Sequence, residues 1–254
     1  YAIAGKEGLS KYPAMISTIN KILELLPRNQ AIVQIVPAGK SNSKRKVPIS
    51  ESGISTMTDS DINIGKRISD ITVVTQGRGS SKLTETYISA KFGDTVAFLN
   101  LGVKQWFIKD EIISKKIINK VAQDLMDILG IDEQKFCNAF NEYDVKNTKR
   151  SVDIVHVTEK INKLKLANLV KATIGYGYIM VHKQKGSTSV ILMNKAKMEK
   201  YLTIEDVSVQ YPVDGSIKLV KVKVKLKGLT IEFVIRATNG DVYPTHMVAN
   251  YTYN

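Results

Sequence analysis

Apolar residues recur every three or four positions from Met15 through Ile16, Ile19, Ile22 and Leu23 to Leu26, the spacing of one helix face, and Pro27 stops the pattern. A short strand is predicted next, at 31–36. The runs SDITVVT (69–75) and TETYISAK (84–91) read as two strands, joined by the polar turn QGRGSSK around Gly77 and Gly79. Residues 94–107 read as helical or irregular. Ile113, Ile117, Val121, Leu125, Ile128 and Leu129 form the stripe of a helix over 111–129, which Gly130 ends. A shorter helix is predicted around 132–143. Thr158 and Glu159 open a third, running through Ile161, Leu164, Leu169 and Val170 to about Ala172.

From Gly177 the texture changes. YIMVH, SVILM, EDVSVQY, KLVKVKVKL and LTIEFVIRA alternate or are continuously apolar, with turns at 185–187, 214–216, 227–228 and 239–241, and predict a mostly antiparallel sheet. The aromatic ending NGDVYPTHMVANYTYN is expected to pack back on the body. The resulting reading is α/β, with a boundary between about 145 and 175, divided here as 1–150 and 151–254; a core shared by both halves stays open. No internal repeat interrupts the chain.

Charge narrows the partners. Among 254 residues, 37 Lys and Arg face 24 Asp and Glu, a net +13 that attracts polyanions: nucleic acid first, an anionic membrane surface second. The single cysteine, Cys137, excludes an internal disulfide or a thiolate zinc cluster, fits a reducing compartment, and reads as a small buried hydrophobe. No apolar run approaches the ~20 residues that span a bilayer, and no signal peptide is recognisable, so a soluble protein without a membrane partner is expected. His156, His182 and His246 lack metal-ligand spacing, and no P-loop, dinucleotide fingerprint or G-x-S-x-G elbow occurs.

Two basic segments could meet phosphates. PAGKSNSKRKVPISESG carries Lys44, Arg45 and Lys46 and is either a solvated loop or a phosphate-contacting arm. In KVKVKLK, period two puts Lys221, Lys223, Lys225 and Lys227 on one face, as a backbone-following ladder or as the wet face of an edge strand. Arg236 belongs with scattered polar and aromatic groups (Tyr176, Tyr178, His182, Tyr243, His246) that do not make a site.

Phosphodiester hydrolysis needs a cation to stabilise charge on phosphorus, carboxylates to hold it, and usually a lysine to orient water. Asp70 opens one strand of the predicted hairpin and Lys91 closes the other, so antiparallel pairing sets these ends side by side. Ser89 and Lys91, two apart, share a face.

The run GKRISDITVV, a hairpin and then TYISAKFG resembles the core of the PD-(D/E)XK nuclease superfamily over roughly the first 110 residues: an aspartate opening one strand, then acid-x-lysine closing the next, in an α-β-β-β-α order. The resemblance implies a restriction-endonuclease-like mixed sheet flanked by helices, followed by the mostly antiparallel C-terminal half. It implies Mg²⁺- or Mn²⁺-dependent DNA hydrolysis, with Asp70 as principal ligand, the Ala90 carbonyl as a backbone ligand and Lys91 positioning water. Ser89 stands where the family has an acid, and some restriction endonucleases with Ser-x-Lys take the missing acid from a helix. Glu24 on the first helix is preferred; Glu7 and Asp94 are further candidates, Glu85 lies about 13 Å along the strand, too far, and Gln105 is a candidate polar helix residue. Lys66 and Arg67, in the lead-in, join the basic residues expected on nucleic acid. The implied partner is DNA before RNA, with a homodimer allowed, in the cytoplasm of a bacterium or of a phage's host. A non-catalytic nucleic-acid-binding or assembly protein on a decayed nuclease scaffold is the alternative, and Ser89 is the feature that favours it.

Overall fold

Alternating apolar positions become strands, and three-to-four-spaced ones become helices, in the computed structural model, which describes residues 13–37, 49–50, 53–54, 58–94, 96–144, 146, 151–213, 217–238 and 240–253. The chain runs α1 (Pro13–Glu24), β1 (Gln30–Pro37), β2 (Ile49–Ser50), β3 (Gly53–Ile54), α2 (Asp59–Ile62), α3 (Gly65–Ile68), β4 (Ile71–Gly77), β5 (Leu83–Phe92) and β6 (Val96–Gly102). It continues through α4 (Lys109–Ile113), α5 (Lys120–Leu129), α6 (Glu133–Asn141), β7 (Val152–His156), α7 (Lys163–Ile174), β8 (Tyr178–Gln184), β9 (Ser187–Met193) and α8 (Lys195–Lys200). Strands β10 (Ile204–Pro212), β11 (Leu219–Leu226), β12 (Leu229–Arg236) and β13 (His246–Tyr253) close it. The protein is α/β, with one mixed and one largely antiparallel sheet flanked by helices.

Two compact units divide the chain, and each is interrupted in sequence. The first is drawn from Tyr1–Arg45, Asp59–Val96 and Gly175–Met198, the second from Lys46–Thr58, Ala97–Ile174 and Glu199–Asn254. The expected division at 150/151 therefore falls elsewhere. The reason is that β8 and β9, which read as the start of a C-terminal sheet, pair into the first unit instead.

In the first unit the strand order is β1-β4-β5-β8-β9. Strands β1, β4 and β5 are antiparallel neighbours, β8 joins β5 in parallel, and β9 returns antiparallel. Helix α1 covers one face, setting Ile22 and the following Leu25 and Leu26 against Val73, Ile88 and Ile179. Helix α3 lies against β5 and β8. There Gly65 comes so close to the Gly177 carbonyl that a methyl group would collide with it and sit 2.9 Å from Tyr87 Cδ2.

In the second unit the six-stranded order is β6-β13-β12-β11-β10-β7. Residues 96–102, expected helical or irregular, form the edge strand β6, whose Phe98 stacks on Tyr251 at 4.2 Å. The helix expected over 111–129 is two helices. Lys115 takes a left-handed φ of 55°, Glu111 accepts the amides of Ile118 and Asn119, and the Asn119 side chain caps α5. Helix α5 buries Val121, Ala122, Leu125, Met126, Ile128 and Leu129, and α6 lies against β10 and β11. Residues 152–156, not anticipated as a strand, pair with β10, and 246–253 pair with β12. Cys137 is buried, which pushes its thiol up to about 11.

The chain after β7 is fastened by a side-chain network. Thr158 donates to Asp206 Oδ1 (2.8 Å) and accepts from the Val207 amide (2.8 Å), while His156 Nδ1 lies 3.2 Å from the same carboxylate. Burial pushes the Asp206 carboxyl up, but hydrogen bonds from His156 and Thr158 outweigh it and hold the group below its ordinary value.

Two outcomes are expected. Gly65→Ala should lower the unfolding free energy by roughly 1–3 kcal/mol in urea titrations, because backbone stands where the methyl must go. A depressed carboxyl stabilises the fold above the ordinary aspartate value and loses that contribution on acidification, so the stability gap between wild type and Asp206→Asn should be larger at about pH 5 than at about pH 3.

Candidate active site

The β4–β5 hairpin aligns Ile71 with Ile88 through Gln76 with Leu83. At its open end the Asp70 amide donates to the Ile88 carbonyl at 2.8 Å, and the Asp70 carboxylate accepts from the Ala90 amide at 2.6 Å. The chain leaves the ladder here, and a side-chain oxygen does the work of the next main-chain acceptor. A charged acceptor makes this a short, strong bond. It holds the exposed Asp70 carboxylate on the backbone between Ser89 and Lys91.

Alternation puts Tyr87, Ser89 and Lys91 on the face opposite Ile88, away from α1. Parallel register sets Met180 beside Ser89 and His182 beside Lys91 on that face. Ser89 is 1% exposed, and its Oγ has no hydrogen-bond partner among the described residues. A buried hydroxyl left this way costs free energy. Lys91 is half-buried, whereas His182 is 2% exposed. His182 Nε2 lies 2.8 Å from the Gly93 carbonyl, and the Gly93 amide donates to the Lys183 carbonyl at 3.0 Å.

Nearby charges are tied to one another. Tyr87 donates to Glu85 at 2.5 Å, and Lys66 lies 3.8 Å from the same carboxylate. Burial first, and the Glu85 hydrogen bond second, push the Tyr87 phenol up to about 12. Arg67 is half-buried, with Nη1 unpartnered among the described residues.

The expected site residues are thus partly assembled. Asp70, Ser89, Ala90 and Lys91 come together. Glu24 is exposed at the end of α1, the helix whose apolar side covers the sheet face that carries Ile88. Asp94 is exposed just past Gly93, Gln105 donates to the Gly102 carbonyl at 3.3 Å, and Glu7, Lys44, Arg45 and Lys46 lie outside the described residues. Among the described residues no three His, Cys, Asp or Glu side chains gather as a ready metal site. What the hairpin end offers is hard oxygen, from one carboxylate and the strand's carbonyls. That donor type suits Mg²⁺, which is often held by one or two carboxylates and keeps several waters. His182 is the residue that sequence spacing missed; its place beside Lys91 follows only from a parallel pairing between positions 91 apart.

The lysine ladder forms as alternation predicts, with Val220, Val222, Val224 and Leu226 buried on the other side. Its strand is interior, between β10 and β12, not at an edge. Lys221 pairs with Glu232 (3.2 Å) and Lys225 with Glu205 (3.5 Å), while Lys223, Lys227 and Arg236 are exposed. Half of the ladder is therefore matched by acids in the same sheet. No helix among the described residues is long and apolar enough to cross a membrane. The chain matches no known family description and no curated protein.

Asp70→Ala removes the acceptor of the Ala90 amide and should lower stability by roughly 0.5–1.5 kcal/mol, whereas Asp70→Asn, whose amide oxygen still accepts, should lose less; paired urea titrations measure the difference.

Proposed function

We propose that the protein is a metal-dependent deoxyribonuclease built on a restriction-endonuclease-like core, hydrolysing phosphodiester bonds at the open end of the β4–β5 hairpin. The observation that carries this reading is the 2.6 Å hydrogen bond from the Ala90 amide to Asp70, which joins the carboxylate to the strand end bearing Lys91. Mg²⁺ or Mn²⁺, when bound, would supply Lewis-acid stabilisation of the charge on phosphorus. Asp70 and the carbonyl of Ala90 are the groups that would hold it, and Lys91 would orient the attacking water. Asp70 is exposed and Lys91 half-buried at this end, and the net charge of +13 attracts a polyanion.

A second reading, nucleic-acid binding without catalysis, is favoured by Ser89. The position where an acid would assist Asp70 holds a buried neutral hydroxyl. In both readings Lys66, Arg67, Lys223, Lys227 and Arg236 meet phosphates.

Plasmid and oligonucleotide cleavage with Mg²⁺ or Mn²⁺ separates the two. On the nuclease reading Lys91→Ala lowers the cleavage rate by about 10²–10⁴-fold while DNA binding persists. Binding without cleavage by the wild type leaves the second reading in place. An affinity that does not fall as salt rises overturns both, because phosphate contacts release counterions.

A further inference from the structure

We infer that His182 is a positioning residue for Lys91, an inference that rests on the nuclease reading of this site. The two residues are direct neighbours in the parallel β5–β8 register, so their side chains leave the sheet on the same face. Burying an imidazole to 2% exposure is unusual without a polar partner, and here the partner is main chain: the Gly93 carbonyl, 2.8 Å from Nε2. A carbonyl only accepts, so the proton of this bond is on Nε2.

Gly93 is the point at which the chain turns off β5, at a φ of 95°. Its amide donates to Lys183 and its carbonyl accepts from His182, so both of its main-chain groups are bound to β8. Strand ends fray where their hydrogen bonds are exposed and side-chain contacts are few. Phe92, the last residue of β5, is 73% exposed and gives the strand little anchorage of its own. Lys91 is therefore held from two directions, by its rung on β8 and by the clamp two residues later.

The test compares wild type, Lys91→Ala, His182→Ala and His182→Gln in Mg²⁺-dependent oligonucleotide cleavage, together with amide exchange of Gly93 followed by NMR. Glutamine presents an N–H at about the distance of Nε2. For a positioning role, His182→Ala lowers kcat by about 100-fold with KM changed less than about threefold, and His182→Gln recovers to within about fivefold of wild type. Gly93 exchange accelerates by about tenfold in the alanine variant alone. Wild-type kcat in His182→Ala, with Lys91→Ala inactive, overturns the inference and leaves the nuclease reading standing. If His182→Ala does not fold, His182→Gln decides: near-wild-type kcat supports the role, and inactivity in a folded protein overturns it. If wild type does not cleave with either metal ion, the nuclease reading falls and takes the catalytic role of His182 with it. Gly93 exchange that is unchanged in His182→Ala overturns the clamp itself.

Discussion

Strand β8 lies beside β5 in parallel, and the organisation of the candidate site depends on that pairing. Rungs from Ile88 with Ile179 to Phe92 with Lys183 bring together residues that a hairpin cannot join, because parallel neighbours require a long crossover. Here the crossover contains residues 97–174, which belong to the second unit. The pairing also explains the composition of β8. Tyr178, Ile179 and Met180 are all buried although they alternate between faces, as an interior strand requires. Without β8, the end of β5 that carries Lys91 would run past the start of β4 with no neighbour on its other side.

The chemistry at this end is one of few charges held tightly. Asp70 spends one carboxylate oxygen on the Ala90 amide and gains a fixed position in return. Ser89 adds a buried hydroxyl but no charge, so any cation here would rely on Asp70, backbone oxygens and water. Local pairing, more than the total, decides where positive charge is available. Lys221 and Lys225 face glutamates in their own sheet, and Lys66 faces Glu85, so part of the +13 excess is neutralised at close range. Exposed pairs of this kind add little stability, but they reduce the attraction a strand can exert on phosphate.

Local patterns suffice where a single element satisfies them. Helix α1, strand β1, both arms of the hairpin, the stop at Gly130 and the alternation of β11 all form close to the expected positions. Local preference yields where a tertiary partner outweighs it. Phe98 in β6 is drawn into a strand by stacking on Tyr251, far along the chain. The 111–129 pattern has continuous helical spacing, yet the Glu111 carboxylate captures two amides and breaks it. Strand β7, with three of its five residues offering apolar side chains and most of it exposed, has too short and wet a pattern to stand out until β10 pairs with it.

By itself, the sequence determined the periodicities, the turn chemistry, the basic balance and the meeting of Asp70 with the end of the second hairpin strand, because each follows from contacts within about twenty residues or from composition. Only the tertiary structure decided the interleaving of the two units, the sheet face that α1 covers and the seating of His182 beside Lys91. The physical reason is that alternation specifies which side of a strand is buried but carries no information on which strand supplies the next hydrogen bonds. Any apolar edge satisfies the backbone equally well, and the choice among edges is made by the packing of the whole chain.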